Sequence, residues 1–184
     1  MSEQITLKLN IRNFNLSEIK TTEEAIETAK RFIENAKEIL ANNIDKKIPE
    51  YYKDSKYVIK ACGLLYVSFK IILKGFYLLN PEIIEQELKN NLRPKKKEKL
   101  DRVLKFYNLE HITYFGNVLR NLYGKKYIYM FRCNKAFSII YEIIHEKGYY
   151  EGLLGRPIIE YSISLIEKLL QILEQEYRNQ EGKR

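Results

Sequence analysis

From Val58 to Leu79, residues fit for a helix interior recur every three or four positions: Val58, Ala61, Leu65, Ser68, Ile72, Gly75 and Leu79. That spacing places them on one face of an α-helix. The faces between them are also largely apolar, and a helix that is apolar all round is buried on every side. Such a helix belongs either in a membrane or at the centre of a helical bundle. Lys70 and Lys74 lie in its interior, and each would cost about 3 kcal/mol in lipid. The stretch is therefore read as a central helix from about Lys53 to Leu79, with no membrane partner. Three of the seven stripe residues, Ala61, Ser68 and Gly75, are small, which lets another helix backbone come close.

The flanking sequence supplies the rest of the bundle. Thr21 or Thr22 followed by Glu24 reads as a capping box. Ala25, Ala29, Phe32, Ala36 and Ile39 then form the seam of a helix running to about Asn43. Asn80-Pro81 is expected to start a short helix to about Leu92, with Asn80 as cap. Lys95 to Tyr107 reads as another helix, continued over Ile112 to Leu122 after an irregular stretch at Asn108, with Gly124 closing it. A long helix is expected over Lys125 to Lys147, ended by Gly148 as a C-cap residue. Pro157 opens the last helix, which lines Ile159, Ile166, Leu169 and Leu173 on one face and frays from Glu174. With 8 Gly and 4 Pro in 184 residues, long helices are favoured over short strands. The expected fold class is all-α: an antiparallel up-down bundle in a single domain, 1–184. Its core helices lie at about 21–43, 52–79, 125–147 and 157–180, with a helical insert at about 80–124.

Charge is unevenly spread. The chain is +8 overall, yet residues 93–135 carry +9, from 12 basic and 3 acidic residues. The densest part is Arg93, Lys95, Lys96, Lys97, Lys99, Arg102 and Lys105, opposed only by Glu98 and Asp101. Tyr107, Tyr114, Tyr123, Tyr127 and Tyr129 follow. Basic side chains neutralise phosphates and exposed rings stack on unpaired bases, so this segment suits single-stranded RNA, an RNA loop or another polyanion. A solvated helix with core tyrosines fits the same pattern. Cys62 and Cys133 are far apart in apolar surroundings and read as reduced core residues. Met1-Ser2-Glu3-Gln4 does not read as a signal peptide, and the cytoplasm is the expected location.

Nucleotide-loop, CxxC, HExxH and GxSxG motifs are absent, and His111 and His145 are the only histidines. No cofactor and no metal are expected. One polar constellation stands out. The central helix begins near Tyr52, Asp54 and Tyr57, and the third core helix ends with Tyr141, His145, Tyr149, Tyr150 and Glu151. In an up-down bundle those ends coincide. Asp54 could then orient His145 with tyrosine hydroxyls nearby, as an acid–base site needs. The same residues also fit a structural lock in which Asp54 caps its helix and the His and Tyr residues tie down a loop; the lock is the preferred reading.

Thr22-Glu23-Glu24-Ala25 through Leu40, the run Tyr51-Tyr52-Lys53-Asp54-Ser55-Lys56-Tyr57, and Tyr141-x-x-x-His145 with Gly148-Tyr149-Tyr150-Glu151-Gly152 resemble a family of small uncharacterised bacterial helical proteins. That family carries YYKDxKY and YxxLHxxxYYDG motifs. Its helices in turn resemble the HEPN superfamily of four-helix bundles. The resemblance covers about 21–79 and 125–175 and skips 80–124. It implies a HEPN-like bundle with an insert, and a superfamily whose members are often dimers and often bind or cut RNA. It does not carry over RNase activity, whose motif is Arg, four to six residues, then His. Arg132 precedes His145 by thirteen positions, and Arg102 precedes His111 by nine. The expected function is thus a non-catalytic binding module contacting RNA or another polyanion. The alternatives are a homodimer or helical-partner module, or a hydrolase or nuclease centred on Asp54, His145 and the tyrosines.

Overall fold

Thr21 opens α1 (Thr22–Ala41) by accepting the Glu24 amide at 3.1 Å, while the Glu24 carboxylate accepts the Lys20 amide at 2.9 Å. The expected capping box is therefore displaced by one residue on its return bond. A computed structural model describes residues 14–91, 103–106, 108–127, 130, 135–153 and 155–182. Regular structure among these is helical, with isolated β-bridges joining Ile44 to Tyr52 and Tyr51 to Gly155.

The central helix, α2 (Ser55–Leu79), is capped by Asp54, which accepts the Lys56 amide at 2.8 Å. It packs most extensively against α1. Its small residues meet α1 as expected. Ser68 Oγ donates to the Ala29 carbonyl at 3.2 Å, and Thr22 Oγ1 donates to the Gly75 carbonyl at 3.4 Å. A Cβ at Gly75 would lie 2.5 Å from Leu173 Cδ2 and 3.1 Å from Ala25 Cβ, so two helices close on that glycine. By length and composition α2 could cross a membrane, yet 78% of its most apolar window is buried inside the protein.

Beyond α2 the chain turns into α3 (Pro81–Asn91), whose Ile84 and Leu88 are buried. Asn80 sits at the expected cap position, its carbonyl accepting the Ile84 amide at 3.0 Å, while its side chain is used elsewhere. Its Nδ2 donates to Tyr123 Oη at 3.2 Å and its Oδ1 accepts from Gln180 at 2.8 Å. The next helix, α4 (Leu109–Tyr123), is a separate element with its own cap, since Asn108 accepts the His111 amide at 2.9 Å. It packs against α3.

The third core helix differs most from expectation. Lys125–Tyr127 form a turn on Tyr123 instead of opening the helix. The helix is α over α5 (Lys135–Ile139) and then winds as a π-helix over Ile140–Tyr150. Gly148 therefore does not end it. A Cβ there would collide with Cys62 Sγ and lie 2.9 Å from Cys62 Cβ, so this glycine marks a close approach to α2. Past it, Gly152 abuts Ser55 and Ile59 at the start of α2. The third helix and α1 both run antiparallel to α2. The last helix, α6 (Arg156–Glu181), runs parallel to α2, with Arg156 bonded to Glu50 and Leu173 against Gly75. It persists beyond Glu174 because that end is tethered: Lys30 pairs with Glu174 at 2.8 Å, and Lys126 with Glu176 at 2.6 Å.

Candidate functional site

Tyr66, Lys70, Lys74 and Tyr77 fall four, four and three residues apart, which makes them one stripe along α2. Each ammonium rests over a ring. Lys70 Nζ lies 5.3 Å from the Tyr66 centroid and Lys74 Nζ 4.6 Å from the Tyr77 centroid, a modestly attractive arrangement. The ring hydroxyls point elsewhere, Tyr66 to the Phe106 carbonyl at 3.4 Å and Tyr77 to Glu85 at 2.8 Å. Lys70, Lys74 and Tyr77 floor a cleft of about 530 Å³. One wall is Phe14, Asn15, Leu16 and Ser17; the other is Leu104 and Lys105. Phe14 is held edge-on to Phe32 at 5.5 Å, and Asn15 caps the short turn Leu16–Glu18 by accepting the Ser17 amide at 3.0 Å.

The cleft is one-signed. Three lysines line it and, among the described residues, no carboxylate does. Burial holds Lys70 below the ordinary lysine range. Lys74 is lowered for the same reason first and by the nearby Lys20 charge second. Like charges one helical turn apart repel, and an anion in the cleft would relieve that repulsion. In the sequence these two lysines argue against a membrane. Two lysines with tyrosine neighbours inside the most apolar helix are also the sequence signal of the cleft.

Of the basic run, only Lys105 is placed. It is exposed on the cleft wall. Arg93, Lys95, Lys96, Lys97, Lys99 and Arg102 lie outside the described residues, as do Tyr107 and Tyr129. Two of the remaining tyrosines are committed within the fold. Tyr123 is buried, and the Tyr127 hydroxyl donates to Glu176 at 2.7 Å.

The polar constellation splits into separate places. Asp54 sits at the N-cap of α2, twelve residues before Tyr66, or about 18 Å along the axis. The His145 ring lies 4.1 Å from the Tyr66 ring. Asp54 and His145 are thus not brought together, although the helix ends meet as expected through Gly152 and Ser55. The reason is register: the π-helix continues past Gly148 and leaves His145 well inside the bundle. Tyr52 is 2% exposed and lines a different groove with Arg156 and Glu160. Burial, with Glu160 second, pushes its hydroxyl up to about 12. Tyr57 is exposed at the start of α2, and Glu151 pairs with Lys147 at 2.9 Å.

Tyr141, His145, Tyr149 and Tyr150 do assemble, joined by Tyr66 and Glu146. His145 is 9% exposed, with the Tyr141, Tyr150 and Tyr149 centroids 4.7, 4.9 and 6.2 Å away. Glu146 Oε1 lies 3.0 Å from His145 Nδ1. Burial lowers His145 from its ordinary value of 6.5, against the opposing pull of Glu146. Burial, and Glu146 after it, push Tyr141 up to about 12. The carboxylate that orients the imidazole is thus its sequence neighbour and not Asp54. Tyr66 links this cage to the cleft, since Lys70 lies over its ring. Cys62 is buried, with its thiol pushed up to about 12 by desolvation, and is inert in that state; Cys133 lies outside the described residues. Among the described residues, no group of three or more His, Cys, Asp or Glu gathers as a metal site would need.

An all-helical protein with a lysine-floored cleft is the class these features define. The family model of the domain of unknown function DUF5618 matches residues 24–123, and the chain belongs to that family. The match takes in α1 to α4, including most of the segment 80–124 that the sequence reading treats as an insert. It stops before the third core helix, so the Tyr141–Gly152 motif lies outside it. No curated protein and no solved structure matches the chain significantly.

Proposed function

We propose that this is a cytoplasmic, non-catalytic binding module for RNA or another polyanion, built on a HEPN-like four-helix scaffold. The observation that supports it is the cleft over Lys70, Lys74 and Lys105, whose described lining holds three lysines and no carboxylate. Lys105 also ends the basic run that begins at Arg93, so cleft and run are contiguous in sequence. Titration of the protein into labelled RNA at rising salt tests this. Affinity is expected to fall steeply, because each neutralised phosphate releases counterions. Replacing Lys95, Lys96, Lys97 and Lys99 by Glu is expected to abolish binding. Absent or salt-independent binding overturns the reading.

A second reading rests on a different surface. Ile48, Tyr51, Ile158 and Tyr161 are exposed where the loop before α2 meets the start of α6. Exposed apolar groups gathered in this way suit a second copy of the chain or a helical partner. Light scattering that shows a strict monomer counts against the homodimer.

A further inference from the structure

We propose that the groove between the end of α1 and the start of α6 binds an uncharged small molecule with a compact apolar body and a hydrogen-bond acceptor, such as a ketone, ester or amide carbonyl. The groove is separate from the lysine cleft, and nothing in its chemistry depends on polyanion binding. Local structure builds it. α1 stops at Ala41, the chain beyond it is held by the bridge of Ile44 to Tyr52, and α6 starts at Arg156, whose amide donates to the Glu50 carbonyl at 2.9 Å. These leave a space of about 350 Å³ floored by Leu40, Ile44 and Ile163, toward the lower end of the small-ligand range.

The polar atom that points to a ligand is the Tyr52 hydroxyl. Tyr52 is 2% exposed, yet its hydroxyl makes no hydrogen bond with any described residue. Buried tyrosine hydroxyls ordinarily find a partner, because an unpaired one forfeits the hydrogen bonds it made in water. This oxygen is not sealed inside the core. The residue lines the groove, and its hydroxyl feels the charges of Glu160 and Arg156 at the groove's edge. Burial keeps it protonated, so a donor stands beside an apolar floor with no acceptor supplied by the described residues. The charged residues around it are spent on one another. Lys37 Nζ meets Glu167 at 2.7 Å, Arg156 Nε meets Glu160 at 2.7 Å, and Arg156 also donates to the Pro49 carbonyl at 3.3 Å. A charged ligand has to compete with one of these pairs and rest against apolar surface. A neutral ligand leaves both pairs intact, covers the floor and accepts the hydrogen bond from Tyr52.

Heteronuclear NMR titrations of the full chain test the site with probes of similar size: acetophenone, ethylbenzene, benzoate and benzylammonium. Acetophenone is expected to shift the amides of Ile44, Tyr52 and Ile163 and to bind about fivefold tighter than ethylbenzene, which lacks the acceptor; that is the scale of one net hydrogen bond. Benzoate and benzylammonium should bind more weakly than either. Tyr52→Phe should weaken acetophenone about fivefold and leave ethylbenzene unchanged, a split that a purely structural hydroxyl does not produce. Ala41 is exposed on the groove wall, so Ala41→Phe should fill the space and abolish binding of both neutral probes. Thermal melts of each variant show that it is folded. Equal affinity for acetophenone and ethylbenzene, tighter binding of either ion, or shifts centred away from the groove overturns the site. So does acetophenone binding that survives Ala41→Phe, or no binding at millimolar concentration. The polyanion reading stands or falls by its own salt titration, whichever of these results is met.

Discussion

Two grooves on this protein handle positive charge in opposite ways. The smaller, of about 350 Å³, is lined by Lys37, Tyr52, Arg156, Glu160 and Glu167 among others. Each cation there has its own carboxylate: Lys37 meets Glu167 at 2.7 Å and Arg156 meets Glu160 at 2.7 Å. In the larger cleft Lys70 and Lys74 lie over tyrosine rings, and no carboxylate is among the described residues that line it. A cation matched to a carboxylate within the chain gains little from a ligand, whereas lysines one turn apart on a helix repel each other and gain more from an anion. The contrast singles out the larger cleft, which volume alone would not do.

The largest expected effect breaks the symmetry between the grooves. Lys74→Glu with Lys105→Glu should weaken polyanion binding on the order of a hundredfold, while Lys37→Glu leaves it nearly unchanged; anisotropy titrations at one salt concentration decide this. Next comes the scaffold that holds both grooves. Gly148→Ala forces a methyl group onto Cys62 and should cost about 2 kcal/mol, seen as a melting point several degrees lower. Cys62→Ala in the same chain should recover part of the loss. Asp54→Ala removes the α2 cap at about 1 kcal/mol and should leave polyanion binding intact; a loss of binding would return Asp54 to the functional site.

A smaller effect concerns pH. His145 faces Glu146, Tyr66, Tyr141, Tyr149, Tyr150 and, at longer range, Lys70. Its imidazole is lowered below 6.5 in the folded protein, so the unfolded chain takes up its proton first as pH falls. The contribution is fully present above pH 6.5 and is lost as pH drops through the folded value. Denaturation midpoints at pH 7.5 and 5 should therefore differ less in His145→Gln than in the wild type. The smallest effect belongs to the paired groove. Lys37→Ala breaks an exposed ion pair and should change stability by about 0.5 kcal/mol or less.

Much of this fold is legible in the sequence, because α1 and α2 carry unbroken three-four periodicity and a polar cap at each start. The Ser68–Ala29 and Gly75–Leu173 contacts follow from the small-residue stripe. The third core helix is less legible, since a pattern read at 3.6 residues per turn does not reveal π winding. Gly148 has the sequence signature of a helix end and is instead a contact with Cys62. The meeting of helix ends, which the sequence does indicate, brings Gly152 and not His145 to the start of α2, so Asp54 and His145 stay apart. The lysine cleft needed three separated segments, around residues 14–17, 70–77 and 104–105, to be brought together. Their spatial meeting has no local signature.

The π winding over Ile140–Tyr150 also bears on how such a chain tolerates changes in its length. Phe137 lies near Phe69, and Gly148 against Cys62. Between those anchors α2 uses seven residues, about 10.5 Å of helix, while the third helix uses eleven, which as α would span about 16.5 Å. The surplus is taken up as girth instead of a bulging loop. An insertion in this stretch can thus be stored inside a helix without displacing either anchor, and a deletion of the same size would return the segment to ordinary α winding with both contacts kept.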